Sequence, residues 1–208
     1  MPELLPALAN RRARRSFAPE PVPAELQEIL WRAVSVAPSH GNSQATRLLV
    51  ASSPDVRDQL IAALSDGNRG WASAAPLLVA IASNPAHDRT AANRDGSERE
   101  LWAFHAGIAT GNLLAQATEL GLVAHPMAGF DEPSVREVFG APEEVRVLAV
   151  VAIGFPGEVS QLPDDLQKRE TADQQRLPLD HLVVRDEWRP ENSESFRGYR
   201  DAQRAKQG

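Results

Sequence analysis

The 208-residue chain contains no cysteine. Disulfides, thiolate nucleophiles, cysteinyl zinc sites and iron–sulfur clusters are therefore excluded, and any redox work needs a borrowed cofactor. An excess of positive charge is missing too. Lys and Arg number 22 against 28 Asp and Glu, a net charge of −6, which argues against a general nucleic-acid binder because such proteins carry basic surplus to neutralise phosphates. No segment approaches the roughly eighteen consecutive apolar residues that a membrane span requires. Residues 1–10 hold Glu3 and two prolines without a basic leader or a long apolar run, so no signal peptide is read there and the expected location is cytoplasmic. G-x-S-x-G, P-loop and G-x-G-x-x-G motifs are all lacking, which leaves hydrolase, NTPase and Rossmann readings without their signatures. His40, His87, His105, His125 and His181 are scattered and form no H-x-x-x-H pair, so no metal site is expected.

What is present is an ordinary globular composition, 42% apolar and 24% charged, read as a single domain. Pro23 to Val36 places Leu26, Ile29, Leu30, Ala33 and Val34 at helical spacing. Ala37 to Gln44 interrupts it as a loop, and Arg47 to Ala51 resumes as a strand. A helix opens at Pro54 and is expected to end near Asp66-Gly67. Pro76 to Ala82 is continuously apolar and reads as a strand buried on both faces, whereas Pro85 to Glu98 is polar, aperiodic and expected to be an exposed loop. The longest periodic segment, Glu100 to Leu120, is rich in small residues and ends at Gly121. A loop at His125 to Phe130, a short helix from Pro133 to Phe139 and a strong strand at Val145 to Phe155 complete the pattern. Beyond Pro156 the chain is mostly polar and reads as an arm.

One cluster stands out. Asn10 to Phe17 (NRRARRSF) packs Arg11, Arg12, Arg14 and Arg15 into an otherwise acidic protein. It suits a phosphate or carboxylate clamp, because guanidinium forks match oxyanions in two-pronged geometry, and it equally suits a solvated basic N-terminus. The order of other segments decides between them. Arg11-Arg12-Ala13-Arg14-Arg15-Ser16-Phe17, Pro21-Val22-Pro23 and Ala37-Pro38-Ser39-His40-Gly41-Asn42-Ser43-Gln44 resemble, in order and spacing, the nitroreductase family's R-R-S-x-R-x-F, x-V-P and A-P-S-x-x-N-x-Q-P-W. Gly121-Leu122 with His125-Pro126-Met127-Ala128-Gly129-Phe130 resembles its G-L-x-x-x-P-x-x-G-F, and Arg176-Leu177-Pro178-Leu179 its R-x-P-L.

The resemblance, over residues 8 to 185, implies an α+β fold with a mostly antiparallel sheet of four to five strands flanked by helices, residues 156–208 forming an arm that packs on a partner subunit. It implies a homodimer with FMN at the subunit interface, NADPH or NADH as donor, and an electron-poor small molecule such as a nitroaromatic or quinone as acceptor. Carried over position by position, Arg11, Arg12 and Arg176 contact the flavin phosphate, and Ala13 stands where a serine is usual. Arg15 lies near the ribityl chain and the pyrimidine edge. Pro38, Ser39, His40, Asn42 and Gln44 come from the partner, Asn68 or Arg69 reaches the ring, and Ala128 and Gly129 present N–H groups to N5 and O4. No catalytic side chain is expected, since the flavin does the hard chemistry. Flavin sequestration with little turnover, and ene-reductase or dehalogenase chemistry on the same fold, are the alternatives.

Overall fold

In the computed structural model, which describes residues 3–205, the apolar runs outside the helices pair into one antiparallel sheet. In chain order the elements of the first compact unit, Met1–Glu170, begin with α1 (Pro6–Asn10), α2 (Ala24–Ser35), β1 (Thr46–Val50), α3 (Pro54–Ala62) and α4 (Asp66–Ala72). They continue with β2 (Leu77–Ser83), a two-residue hairpin of β3 (Ala91–Ala92) and β4 (Glu98–Arg99), α5 (Trp102–Glu119), β5 (Val123–Met127), α6 (Glu132–Val138), β6 (Arg146–Gly154) and α7 (Asp164–Thr171). The sheet order is β1-β2-β6-β5, every neighbouring pair antiparallel. The fold is α+β, as the family pattern implied.

Alternation along the strands divides the core. Leu78, Ala80 and Ala82 of β2 face one side with Val150 and Ala152 of β6, packed against Leu60 of α3, Trp71 of α4 and Val135 of α6. Leu77, Val79 and Ile81 face the other with Val151 and Ile153, against Leu30 of α2 and Leu113 and Ala117 of α5. All seven residues of β2 are buried, which is why that strand reads as an unbroken apolar run rather than an alternating one.

Local chemistry fixes several boundaries. Ser53 accepts from the Val56 N–H at the start of α3, with Pro54 in the first turn. After α5, Gly121 adopts φ +72° and the N–H groups of Gly121 and Leu122 bond back to Thr118 and Ala117, a Schellman ending that closes the helix where glycine predicted it. Two expectations are corrected. A helix begins at Asp66 instead of ending there, because the Leu64–Phe130 bridge and the Ser65 N–H to Gly129 carbonyl bond break α3 from α4. The segment expected to loop from His125 is strand as far as Met127, since His125, Pro126 and Met127 pair with Ala152, Val151 and Val150. Proline is tolerated there because β5 is an edge strand.

The second compact unit, Thr171–Gly208, holds α8 (Leu179–Leu182) and α9 (Phe196–Ala205). Within it the His181 ring meets Tyr199 edge-on at 5.2 Å, and the Asn192 amide donates to the carbonyls of Asp180 and His181. Among the described residues no helix is long and apolar enough to cross a membrane.

Candidate functional site

The arginine arm is laid against the end of β6. Phe17 bridges Pro156, the Ala18 N–H donates to the Phe155 carbonyl, and the Gly157 N–H donates to the Ser16 carbonyl. The approach is so close that a Cβ on Gly157 would stand 2.4 Å from the Phe17 carbonyl carbon, so only glycine fits.

A carboxylate completes the seat. Glu170 of α7, its side chain 1% exposed, accepts from the Arg15 N–H at 2.9 and 3.0 Å, from the Ser16 N–H at 3.2 Å and from the Ser16 hydroxyl at 2.9 Å. The Arg15 guanidinium is 3.9 Å from the same group and lies 5.8 Å over the Trp71 ring. Trp71 in turn packs 4.4 Å from the His125 ring, whose Nδ1 is 2.8 Å from the Arg14 carbonyl oxygen. Burial holds the His125 pKa below the ordinary imidazole value, against the Arg14 carbonyl bond that favours protonation, and the nearby Arg15 charge lowers it further. The ring is thus a neutral donor to the arm's backbone.

The same helix reaches the end of β5. Asn68 of α4 donates to the Gly129 carbonyl at 3.0 Å, and a Cβ on Gly129 would stand 2.5 Å from Ser65 Oγ and 2.8 Å from Asn68 Nδ2. A side chain at 129 would push the Ser65 and Asn68 side chains aside. Among the described residues the N–H groups of Ala128 and Gly129 make no bond outside the sheet ladder, and Ala128 is exposed.

The predicted residues do not share one cavity. Arg15 lines a cavity of about 530 Å3 with Phe17, Gly67, Trp71, Leu166 and Arg169. Arg12 and Arg14 line another of about 210 Å3 with Asn10 and Gly121, although one Arg12 Nη turns back to the carbonyls of Ala9 and Arg11. Ala13 is exposed between them. Pro38, Ser39 and Gln44 line a third, of about 190 Å3, with Trp31, Arg47 and His105. Arg176 lies in the second unit, where its guanidinium donates to the Gln175 carbonyl.

The loop after α2 is backbone in the left-handed region at Gly41 (φ +58°), Asn42 (φ +56°) and Gln44 (φ +49°). Two groups that sequence spacing kept apart meet it. His105 of α5 accepts the His40 N–H at Nε2, 3.1 Å, and is 2.6 Å from Asp88 through Nδ1. The Asp88 carboxylate, 2% exposed, also accepts from the Ser43 hydroxyl and the Arg89 N–H. Although burial opposes it, the Ser43 and His105 hydrogen bonds hold Asp88 below the usual carboxylate range. Serine, histidine and aspartate in contact invite a hydrolytic reading, but Ser43 and His105 both bind the carboxylate and not each other. With both ring nitrogens occupied, His105 has no acceptor left for a serine proton.

Comparison with known proteins follows this geometry. The model of the nitroreductase family matches residues 8–70 and 62–155. An NADH dehydrogenase of Thermus thermophilus is 27% identical over 209 residues, covering 88% of this chain and 94% of that one. A solved oxidoreductase described as containing FMN superposes with a TM-score of 0.78 at 32% identity, over 90% of this chain and 93% of the other. Nitroreductase A from Vibrio parahaemolyticus, 20% identical, shares the fold with a TM-score of 0.73 over 97% and 81% of the two chains. The chain belongs to the nitroreductase family. It is an oxidoreductase.

Neither Glu170 nor the Asp88–His105 pair was found from sequence. Glu170 stands 154 residues from Ser16 within a charged helix, and Asp88 sits in a segment that reads as solvent-exposed. An aspartate followed by polar turn residues gives no signal of burial.

Proposed function

We propose that the protein is an FMN-dependent oxidoreductase that passes hydride from NADH or NADPH to an electron-poor acceptor such as a nitroaromatic or quinone, acting as a homodimer. FMN, when bound, supplies the hydride-accepting ring atom. The observation carrying the reading is the seat of the arm: Glu170, His125 and the end of β6 hold the backbone of residues 14–18, so Arg14 and Arg15 project from a fixed backbone.

The residues fit the group. Arg11 and Arg12 bind a phosphate of nearly two negative charges, and the Arg176 guanidinium has the same charge chemistry. Arg15, half-buried beside Trp71, orients the pyrimidine edge and ribityl chain. The N–H groups of Ala128 and Gly129 meet acceptors on the ring's other edge, at the place where β5 ends. Asn68 holds that turn through one amide N–H on the Gly129 carbonyl, and its other N–H and its oxygen serve the ring. Pro38, Ser39, His40, Asn42 and Gln44 serve the partner's flavin. In keeping with that assignment Pro38, Ser39 and Gln44 line a cavity sharing no residue with the one that holds Arg15. Leu5, Leu8, Val36 and Phe104 of the first unit and Leu179, Leu182 and Trp188 of the second are exposed apolar side chains, an excess that a second copy would cover.

The visible spectrum tests this most directly. Purified protein is expected to carry or take up FMN with flavin absorbance, and to bleach on anaerobic addition of NADH or NADPH. Protein that stays colourless with FMN overturns the reading; flavin that binds but does not bleach reduces it to sequestration.

A further inference from the structure

We propose that Asp88 and His105 are positioning residues which lock the strained 38–44 loop in its cofactor-facing shape, with the Pro85–Arg99 segment acting as the buttress that delivers Asp88. The cofactor-facing half of this statement rests on the reading under Proposed function; the locking half does not.

Left-handed backbone at a non-glycine residue persists only where its surroundings over-determine it, and such residues gather at binding and catalytic sites. Asn42 and Gln44 are two within three positions. Local bonds supply part of the restraint: the Ser39 hydroxyl accepts the Gln44 N–H at 3.0 Å, and the Ser39 and His40 carbonyls accept the N–H groups of Asn42 and Ser43. These bonds tie the loop to itself. They do not fix it to the body of the protein.

Arg47 of β1 donates to the Gln44 carbonyl at 2.7 Å, and the attachment to α5 and to the 85–99 segment comes from one buried pair. His105 Nε2 accepts the His40 N–H, so it carries no proton, and the ring's single proton lies on Nδ1, which donates to Asp88. Asp88 then takes the Ser43 hydroxyl with its other oxygen. The loop is held at His40 and Ser43, on either side of the left-handed pair Gly41 and Asn42, through a single carboxylate–imidazole unit anchored in α5. From the hairpin side Arg89 lies across Gly41, where a Cβ would stand 2.6 Å from its Cδ.

Packing alone does not explain the arrangement. A carboxylate 2% exposed beside an imidazole 5% exposed costs desolvation that two apolar side chains would avoid, so the pair is a device for specifying geometry. A carboxylate behind an imidazole fixes tautomer and ring orientation. Here the imidazole orients a backbone N–H.

The test uses the full-length protein without added cofactor, then with FMN. In the cofactor-free protein, hydrogen exchange of a peptide spanning residues 36–46 is compared between wild type, His105→Leu and His105→Gln. His105→Leu is expected to speed exchange of the His40 amide at least tenfold while β2 and β6 keep their protection. His105→Gln, whose amide accepts from His40 and donates to Asp88, is expected to restore most of it. In an FMN titration His105→Leu raises Kd about 10–100-fold, the scale of an ångström-level misplacement, and His105→Gln again recovers most of the loss. Should His105→Leu fail to fold, Ser43→Ala removes one bond to the same carboxylate and carries the test with an expected threefold change. Unchanged exchange in the variant that folds overturns the lock. Faster exchange with unaltered FMN affinity overturns the cofactor-facing half. A wild type that binds no FMN defeats the functional reading, and the exchange data still decide whether the pair holds the loop.

Discussion

The arginine arm and the 38–44 loop are both pinned by buried carboxylates, yet in opposite ways. Glu170 collects two successive backbone N–H groups and a hydroxyl from a segment already extended along the end of β6. Asp88 holds no N–H of the loop itself and works through the Ser43 and His105 side chains upon backbone that is left-handed at three positions. One carboxylate therefore stabilises an ordinary conformation, and the other maintains a costly one. The difference predicts that damage to the arm appears as lost stability, whereas damage to the loop appears as lost order.

The largest expected effect breaks the arm. Glu170→Ala leaves the Arg15 and Ser16 N–H groups and the Ser16 hydroxyl without their acceptor in a buried place, at a cost of about 3 kcal/mol. For a chain of this size the melting temperature should fall by roughly 6–12 °C. A loss under about 2 °C by calorimetry would mean that water replaces the carboxylate and that the arm is not pinned there. Next comes function at the arm: Arg11→Ala should weaken FMN binding by roughly 10–100-fold, the scale of one charge-assisted phosphate contact, with little change in melting temperature for the cofactor-free protein. Equal FMN affinity in isothermal titration would remove Arg11 from the phosphate site.

A pair of glycines sharpens the contrast. At Gly157 a methyl group meets the backbone of Phe17, which cannot step aside, so Gly157→Ala should lift the arm and cost about 2 kcal/mol. At Gly41 the nearest atoms belong to the flexible Arg89 side chain, so Gly41→Ala costs chiefly the left-handed conformation, about 1 kcal/mol. Chemical denaturation separates them. If Gly41→Ala proves the more damaging, Arg89 is a fixed wall and the loop is packed rather than strained.

Much of this was legible in the sequence because it was written in short-range chemistry. The apolar run at Leu77–Ser83, the Ser53-Pro54 start of α3 and the Gly121 ending of α5 each carry their cause within a few residues. The predicted arm and turn residues were readable as a family pattern in the right order. What was hidden depends on meetings that only the fold creates. The break between α3 and α4 is made by Phe130 across the chain, the strand character of His125–Met127 is imposed by β6, and Asp88 and Glu170 look like solvated charges until a hydroxyl donor arrives from 45 residues away for the one and a backbone donor from 155 for the other. Asn68 shows the limit from the other direction, since its bond to the Gly129 carbonyl, 61 residues away, carries no signal in the sequence.

The smallest effect concerns acid. His125 is 8% exposed and burial depresses its folded-state pKa. Below the ordinary value of about 6.5 the unfolded chain takes up a proton that the folded chain resists, so the group's contribution is complete above that pH and is lost as pH falls toward the depressed value. Asp88 follows the same sign in a lower window: held below the ordinary carboxylate value of about 3.9, it supports the loop above that pH and releases it only in stronger acid. The arm should therefore loosen before Asp88 lets go of Ser43. Melting temperatures of wild type and His125→Gln, followed from about pH 7.5 to about pH 5.5, should converge as the wild type loses an advantage of about 1 kcal/mol or less. Parallel curves would show that the His125 ring charges without cost, and that its bond to the Arg14 carbonyl, not its burial, governs this end of the arm.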